Sequence, residues 1–427
     1  MTNHRRWPRF LIACAALWLV AIGTAVPAAD SAETRSFEAR DTLAHPEDPA
    51  ADATACLRGL AWTPAAFPVT CRPEPGAAYD FLVQFPSPIS SGDAVNDRVS
   101  LEWYLPRDEQ GAIRRAPAVL VVHESGRSMP VGRLFARSFQ AAGMHSFLIH
   151  LPYYAKRNAE GREPPPDRLF TLIRQAIADV RRGRDAIAAL PHVDARHVSL
   201  QGTSLGGFVV ATSAALDHAF QSVFIMLAGG DLYGMFQRGQ REVAQARREL
   251  EQAGISDAQL KHLLWQIEPT RVAHRLDPQR TWLFSAEGDQ VVPIENAHAL
   301  AKAARLTDRH HVRMPGNHYS VIVYFPVILQ QIQQMDLVFQ AKRGELHAHQ
   351  GIEGDNRELG PRFGLGYIRG RKRVIRTYFL PRKNNVNRTP DRPLRSIQEQ
   401  INAGDVLVDL SSTPVATQRH SAPGSGP

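Results

Sequence analysis

Cysteine is scarce in this chain of 427 residues, which contains only Cys14, Cys56 and Cys71. That number excludes a disulfide-dense scaffold of the kind that holds small secreted domains together. Cys14 lies in an apolar N-terminal segment with the character of a removable leader, which leaves two cysteines to pair. A bridge between Cys56 and Cys71 would close a loop of about 15 residues and add about 3 kcal/mol to the free energy of unfolding. We predict this disulfide; two free buried thiols are the alternative.

Internal repeats and metal-ligand spacings are also absent. No segment recurs along the chain, and the histidines lack the spacing of a metal site. We therefore predict no metal and no cofactor. Hydrophobic residues at 44% and charged residues at 22% are ordinary for a folded protein, so the composition does not indicate overall disorder. The length suits one large α/β domain with additions, or two domains.

The N-terminus has the residue order of a secretory signal peptide. A basic stretch around Arg5 and Arg6 precedes an apolar run at 10–26, and small residues lie near position 28. Gly23 interrupts the run, which falls short of the ~20 apolar residues that a membrane span needs. We predict a cleaved signal peptide at 1–28 and a periplasmic or secreted protein; an uncleaved anchor is the alternative.

The net charge of +8 is concentrated near the C-terminus. Residues 362–395 contain eleven Lys or Arg and one acid, a local charge of +10, which leaves −2 for the rest of the chain. We predict that residues 343–427 form a basic, largely disordered tail. The alternative is a contact with an anionic envelope surface. Few aromatic residues interleave with the basic ones, so we do not expect nucleic acid as a partner.

Between the leader and the tail, apolar strands alternate with helices. Residues 29–79 are rich in Ala, Pro and acids and predict an extended N-terminal arm that carries the disulfide. Residues 80–342 form the main domain, a mostly parallel sheet with helices on both faces and an antiparallel start. Continuous apolar runs are typical of strands buried on both faces. Eight strands are predicted, near 80–85, 99–105, 116–122, 144–151, 198–200, 222–228, 281–286 and 311–314.

One short stretch has the Gly-x-Ser-x-Gly form of a nucleophile elbow, with Ser204 at its centre and Gly202 and Gly206 at its ends. A strand-like alternation precedes the stretch, and an apolar, helix-compatible segment follows it. A serine at the apex of such a turn has its hydroxyl exposed, and glycines allow neighbouring backbones to pass closely. We predict Ser204 as a nucleophile.

The chain is too long between the strands at 222–228 and 281–286 for a plain crossover. Residues 238–253 are charged and helical, and Ser256 with Gln259 has the spacing of a capping box. We predict a small helical cap at 231–279 that closes over the nucleophile; a surface decoration is the alternative.

A serine hydroxyl needs a base within hydrogen-bond reach, and that base needs an orienting acid. The expected chain order is nucleophile, acid, base. Asp289 follows a buried strand and is the predicted acid, with Glu287 as the substitute. His318, in a Gly-Asn-flanked loop after the last strand, is the predicted base. His310 and His311 are predicted to lie at the surface.

The three motifs, in this order, resemble the α/β-hydrolase superfamily over the whole main domain. Within it, His123-Glu124-Ser125-Gly126 is similar to the His-Glu-x-x-Gly segment of dienelactone-hydrolase-like enzymes and related esterases. The spacing differs by one residue and dienelactone hydrolase itself uses cysteine, so its substrate is not carried over. The resemblance implies an oxyanion hole from the amides of Ser125 and Leu205. Glu124 and His123 are candidate supports; a solvated or salt-bridged carboxylate is the alternative for Glu124.

These observations predict an exported serine hydrolase that cleaves a small-molecule carboxylic ester through an acyl-enzyme intermediate. A peptidase similar to the prolyl oligopeptidases is one alternative, against which the missing propeller-sized repeat region argues. A catalytically silent envelope-binding protein on a hydrolase scaffold, using the basic tail, is another. The sequence does not specify the oligomeric state.

Overall fold

A computed structural model of the chain describes residues 33–44, 47–158, 161, 164 and 168–342, with side chains as far as residue 334. The predicted signal peptide at 1–28 and the predicted basic tail at 343–427 lie outside the described residues. Within the described part, no helix is both long enough and apolar enough to cross a membrane.

A single sheet of ten strands forms the centre of the described residues. The strands are β1 (Arg35–Arg40), β2 (Ala66–Pro73), β3 (Phe81–Pro86), β4 (Arg98–Tyr104), β5 (Ala116–Val122), β6 (His145–Ile149), β7 (Val193–Thr203), β8 (Val223–Met226), β9 (Thr281–Ala286) and β10 (His311–Met314). They lie in the order β1-β2-β3-β4-β6-β5-β7-β8-β9-β10. The pairs from β1 to β4, and β4 with β6, are antiparallel; the others are parallel. The predicted antiparallel start of a mostly parallel sheet is confirmed.

The predicted count of eight strands is wrong, because the N-terminal arm contributes two more. The strands β3 to β10 correspond to the eight that were predicted, while β1 and β2 extend the antiparallel edge. In β2 the alternate residues Phe67, Val69 and Cys71 are buried. This period of two is that of a strand with one face on the core, so the arm belongs to the sheet.

A buried ion pair and two hydrogen bonds to a buried carboxylate attach this N-terminal segment to the main domain. The Asp41 carboxylate accepts hydrogen bonds from the Arg182 guanidinium, whose Nε lies 2.9 Å from Asp41 Oδ1. The backbone and hydroxyl of Thr42 both donate to Asp185 at 2.7 Å. Because Asp41, Arg182 and Asp185 are buried, loss of one partner would leave an uncompensated charge in the interior.

The predicted disulfide is not formed, since Cys56 and Cys71 are both free and buried. Cys56 lies on helix α1 (Ala51–Leu60), and its Sγ donates to the carbonyl of Gln266 at 3.6 Å. Cys71 lies on β2, opposite Val83 of β3, so the two thiols are held by different elements with different neighbours. Burial raises the pKa of Cys56 to about 11 and that of Cys71 to about 12. Both are therefore protonated and weakly reactive near neutral pH.

Helices cover both faces of the sheet, as predicted. After α1 they are α2 (Pro130–Ala141), α3 (Leu169–Ala188), α4 (Leu205–Ala214), α5 (Leu232–Arg238), α6 (Glu242–Gln252), α7 (Asp257–Gln266), α8 (Ile294–Ala303) and α9 (Phe325–Lys342). Successive residues of β5 point to opposite faces. Leu120 and Val122 join a core with α3, α4 and α8, whereas Val119 and Val121 join a second core with α2 and α9.

The predicted helical insertion lies between β8 and β9 and consists mainly of α5, α6 and α7. The capping box of Ser256 and Gln259 is present at the start of α7. Buried apolar residues of these helices pack against Val291 and Val292. The insertion therefore lies against the loop that carries Asp289; its closure over Ser204 stays a prediction.

Candidate active site

Ser204 lies at a sharp turn between β7 and α4, with φ 52° and ψ −116°. This is a strained conformation for a residue with a side chain, and it persists only where the surroundings hold it. The Ser204 N–H donates to the carbonyl of Met226 on β8 at 2.8 Å, and its own carbonyl accepts from the amides of Gly207 and Phe208. The geometry is that of a nucleophile elbow.

Close backbone packing explains the two glycines of the elbow. A Cβ at Gly206 would lie 2.2 Å from the carbonyl oxygen of Val122, and a Cβ at Gly202 would lie 2.4 Å from that of Gly206. Neither distance is possible for a real side chain. The start of α4 is thus pressed against the end of β5, where the loop with Ser125 begins.

The structure brings Ser204, His318 and Asp289 together in one chain of hydrogen bonds. His318 Nε2 lies 3.0 Å from Ser204 Oγ, and His318 Nδ1 lies 2.7 Å from Asp289 Oδ2. The Asp289 side chain is buried, while Ser204 is only half-buried. With its Nδ1 proton donated to the carboxylate, the ring presents Nε2 as an acceptor for the serine hydroxyl.

Hydrogen bonds align two loops: the one after β9, which carries Asp289 and is named the acid loop after its predicted role, and the one after β10, which carries His318 and is named the base loop. The Gly288 N–H donates to the Gly316 carbonyl at 2.8 Å, which continues the β9–β10 pairing beyond both strands. The Asn317 side chain accepts from the amides of Tyr319 and Ser320, both at 3.0 Å. These bonds enclose the base loop in a tight turn and so fix the backbone from which His318 projects.

The Asp289 carboxylate is oriented by the backbone around it. Its Oδ1 accepts from the amides of Val291 and Val292 at 2.8 and 2.9 Å, which leaves Oδ2 facing His318. Glu287, the substitute acid, is exposed. Of the two carboxylates, the structure brings Asp289 to the histidine.

The loop after β5 is held by the two candidate support residues. The buried His123 donates from Nδ1 to its neighbour's carbonyl and accepts at Nε2 from the Leu151 amide at 3.1 Å. Burial lowers the pKa of His123 to about 3, so its ring is neutral. The Glu124 carboxylate accepts from the amides of Val131 and Gly132 at 2.9 and 3.0 Å. Negative charge is favourable at this first turn of α2, and Glu124 thereby ties the loop to the helix.

The two predicted oxyanion amides belong to adjacent parts of this edge. Leu205 is the first residue of α4, where helical N–H groups have no intrahelical acceptor. The Ser125 carbonyl accepts from the Tyr154 hydroxyl at 2.9 Å, and the Tyr154 ring packs on His123 with centroids 4.5 Å apart. Sequence reasoning missed this role of Tyr154, which no local motif marks. An oxyanion hole from these amides stays a prediction.

Comparisons with known proteins found likenesses among solved structures alone. No family model and no curated protein matches the chain. Acetyl xylan esterase 1 from Thermoanaerobacterium sp. JW/SL YS485 is 14% identical, with 69% of this chain and 96% of that one covered and a TM-score of 0.49. The acetyl xylan esterase from Paenibacillus sp. R4 is 14% identical, with 66% and 92% covered and a TM-score of 0.48. Est1E from Butyrivibrio proteoclasticus is 13% identical, with 57% and 95% covered and a TM-score of 0.39. Likenesses this distant carry no argument about activity.

The chain's own topology decides the fold. The elbow follows β7, the acid loop follows β9 and the histidine loop follows β10, all at the carboxyl edge of a mostly parallel sheet. This is the chain order of nucleophile, acid and base in the α/β hydrolases. The chain has the α/β-hydrolase fold. Relative to the predicted α/β-hydrolase domain, β1, α1 and β2 are an N-terminal extension of the sheet.

The α/β-hydrolase sheet also has a cavity at its opposite edge. This cavity of about 530 Å³ lies at the amino ends of β8 and β9, away from Ser204. Its cationic lining supports the backbone: Arg275 donates to the carbonyls of Ala215 and Leu216, and Arg305 donates to another carbonyl. Ser204, Asp289 and His318 lie at the carboxyl edge instead.

A contact between the helical insertion and the base loop was missed by sequence reasoning. Tyr319, which follows His318, donates its hydroxyl to the Glu242 carboxylate, with oxygens at 2.6 and 2.7 Å. The two residues are 77 positions apart, so no local pattern signals the contact. It connects α6 to the residue next to the predicted base.

Proposed function

We propose that this chain is an exported serine hydrolase that cleaves small-molecule carboxylic esters through an acyl-enzyme intermediate. The observation that carries the proposal is the continuous arrangement in which His318 bonds both Ser204 and Asp289. It supplies what a serine hydroxyl lacks at neutral pH, a base to take its proton and an acid to orient that base. Export rests on the residue order of the first 28 positions, and the basic tail is proposed as a contact for anionic envelope surfaces.

In the acylation step, Ser204 Oγ forms a bond to the carbonyl carbon of the ester while its proton moves to His318 Nε2. The tetrahedral intermediate then collapses, the bond to the alcohol oxygen breaks, and His318 gives its proton to the departing alcohol. Asp289 remains ionised and stabilises the imidazolium through Nδ1. The strained elbow keeps the hydroxyl at the open edge of the sheet, where an ester can approach it.

Deacylation repeats these proton transfers with water. His318 takes a proton from a water molecule as the water oxygen bonds to the acyl carbon. Ser204 Oγ then leaves with the proton from His318, and a carboxylic acid is released. The same two side chains thus serve both halves of the reaction, with water as the second reactant.

The amides of Ser125 and Leu205 are proposed to stabilise the oxyanion of both tetrahedral intermediates. Each such donor lowers the barrier by roughly 3 kcal/mol when it is fixed before the reaction. Support for this role comes from the bond between Tyr154 and the Ser125 carbonyl, which orients the loop, and from the position of Leu205 at the start of α4.

We propose an ester, and not a peptide bond, as the substrate. Support comes from the resemblance of the loop at 123–126 to that of dienelactone-hydrolase-like esterases, together with the absence of a repeat region of propeller size from the sequence. An aryl ester series of increasing acyl length, assayed beside a peptide amide, distinguishes the classes. Turnover of the amide alone would favour the peptidase alternative.

A fluorophosphonate probe tests the nucleophile. We expect the wild type and Ser36→Ala, which changes an exposed serine on β1, to be labelled equally. Ser204→Ala should show only background labelling, and its kcat for an aryl ester should fall by about 10⁴-fold to 10⁶-fold. Equal labelling of all three proteins would overturn the assignment.

A further inference from the structure

The turn between α5 and α6 contacts both loops of the proposed active site. The Gln240 N–H donates to the carbonyl of Gln290, the residue after Asp289, at 2.8 Å. Two residues later, both oxygens of Glu242 accept the hydroxyl of Tyr319, the residue after His318. One turn of the insertion therefore bridges the acid loop and the base loop.

The backbone of this turn is shaped for the contact. A Cβ at Gly239 would lie 2.8 Å from the carbonyl of Val291, so only glycine allows the turn to approach the acid loop this closely. Arg241 has φ 53° and ψ −117°, a strained conformation that places Glu242 at the first position of α6. The Arg241 guanidinium lies over the Tyr319 ring, 5.2 Å from its centroid.

Tyr319 in turn contacts the proposed base. The rings of Tyr319 and His318 meet edge to face, with centroids 5.4 Å apart and an interplanar angle of 75°. Tyr319 is 46% exposed, so its side chain contributes little to the core. Its hydroxyl and its ring edge nevertheless join a carboxylate on the insertion to the imidazole of the site.

The charges of this group favour a fixed, ionised arrangement. Partial burial opposes ionisation of Glu242, but the hydrogen bond from Tyr319, a backbone amide and the positive charge of Arg241 hold its pKa below its ordinary value. Burial and the Glu242 carboxylate raise the pKa of Tyr319 to about 12. Tyr319 therefore stays protonated and donates to an anion across the neutral range.

We propose that Glu242 and Tyr319 are positioning residues of the proposed hydrolase, and that they fix the His318 imidazole and stabilise the imidazolium that forms during the reaction. The inference rests on the proposed function. The Glu242 carboxylate lies across Tyr319 from the ring, so its negative charge stabilises the positive charge that His318 gains when it takes the serine proton. The charged or titratable groups that face this centre are Asp289, Glu242 and Arg241, with Tyr319 neutral between them.

The charge of Glu242 is tested by Glu242→Gln, which keeps an acceptor for the Tyr319 hydroxyl. We expect kcat for an aryl ester to fall about 3-fold to 5-fold with KM unchanged. The acid limb of the kcat/KM profile should move to lower pH, because the variant lacks the negative charge that stabilises the imidazolium. Glu251→Gln, on the same helix and exposed, is the matched control and should leave both quantities unchanged.

The hydrogen bond is tested by Tyr319→Phe, which keeps the ring and the Glu242 charge. We expect a similar fall in kcat and a smaller movement of the acid limb. The double variant should lose less than the product of the two single losses, because both act through one contact. Wild-type kcat and an unmoved profile in both single variants would overturn the inference.

A measurement independent of turnover separates this inference from the proposed function. The side-chain NMR signals of His318, identified by their loss in His318→Gln, should move in Glu242→Gln relative to the wild type at the same pH, and should stay unmoved in Glu251→Gln. Unmoved signals in Glu242→Gln would overturn the inference even if Ser204 is the nucleophile. Absent fluorophosphonate labelling would overturn the proposed function but leave this comparison informative.

Discussion

Two buried carboxylate–histidine pairs in this molecule have opposite surroundings. Asp289 binds His318 at 2.7 Å, and Glu102 binds His150 at 3.1 Å. The second nitrogen of His318 faces the hydroxyl of Ser204 at the open edge of the sheet. Among the described residues, the second nitrogen of His150 is buried without a hydrogen-bond partner.

The Glu102 pair is built as an interior support. Glu102 also accepts from the Arg133 guanidinium at 2.6 Å and from the Tyr104 hydroxyl at 2.6 Å. Burial opposes ionisation of Glu102, yet the bonds from His150, Arg133 and Tyr104 hold its pKa at about 2. Burial also lowers the pKa of His150. A carboxylate beside a histidine is thus insufficient to indicate catalysis. The two pairs are distinguished by what the second ring nitrogen of the histidine faces.

The largest expected difference between the pairs comes from Asp289→Asn. The amide keeps an oxygen for the Val291 and Val292 N–H groups but favours the wrong tautomer of His318, so kcat should fall about 10⁴-fold with little change in stability. Aryl ester kinetics and urea unfolding measure the two quantities. A kcat within tenfold of the wild type would show that Asp289 does not orient the base.

Displacing Ser204 should impair catalysis by the Asp289–His318 pair and leave the Glu102–His150 pair in place. In Gly206→Ala the new Cβ would meet the Val122 carbonyl at 2.2 Å, so α4 must shift and carry Ser204 away from His318. We expect kcat/KM to fall about 10²-fold and the free energy of unfolding to fall by about 2 to 4 kcal/mol. Steady-state kinetics with urea unfolding checks this, and unchanged kinetics would contradict the close packing of the elbow.

Glu102→Gln should have the opposite effect to Asp289→Asn, a loss of stability with little loss of kcat. Loss of the buried charge leaves Arg133 and His150 without their anion, and we expect unfolding to become about 2 to 4 kcal/mol easier. Because the hydrogen bonds of the pair go to Arg133 and Tyr104 and not to Ser204 or His318, kcat of the folded protein should stay within about threefold. If kcat fell as far as in Asp289→Asn, the two pairs would not differ in function.

The Glu102–His150 pair also contributes to stability in acid. The pKa of Glu102 is depressed in the folded state to about 2 from an ordinary value of 4.5. Its stabilisation is therefore present above pH 4.5 and is lost as the pH falls toward 2. The stability gap between wild type and Glu102→Gln should shrink over this window in urea unfolding series. A gap that is constant between pH 5 and 3 would contradict the ionised state of Glu102.

The smallest contrast concerns two tyrosine hydroxyls. Tyr154→Phe removes the donor to the Ser125 carbonyl and should lower kcat about 3-fold to 10-fold with little loss of stability. Tyr104→Phe removes the donor to Glu102 and should instead cost about 1 to 2 kcal/mol of stability with kcat unchanged. Parallel kinetics and unfolding of both variants test this; the same phenotype in both would remove the distinction.

The residues of the candidate site could be predicted because each is marked by its neighbours in sequence. The glycines around Ser204 reflect backbone contacts within the elbow, and Asp289 and His318 each follow an apolar strand. Parallel strands deliver such loops to one edge of the sheet, which brings the three side chains together. The continuous apolar run of β5 likewise specified its burial on both faces.

The features that were missed depend on contacts between distant segments. The strand β2 contains Pro68 and Pro73, which weaken its strand pattern, and its pairing with β3 is what makes its alternate residues buried. His310 and His311 were predicted at the surface and are buried, since His311 bonds Ser285 of β9. The disulfide was predicted from the number of cysteines alone. The packing of α1 and β2 instead directs each thiol to different neighbours.

The central claim, that Ser204 is acylated and His318 activates it, is tested most directly by trapping the intermediate. An activated aryl ester is mixed with the wild type, quenched in acid within the first turnovers, and digested for mass spectrometry. The account predicts an acyl adduct on the peptide containing Ser204, absent from Ser204→Ala and strongly reduced in His318→Gln. Hydrolysis by Ser204→Ala at the wild-type rate, or an adduct on another residue, would contradict it.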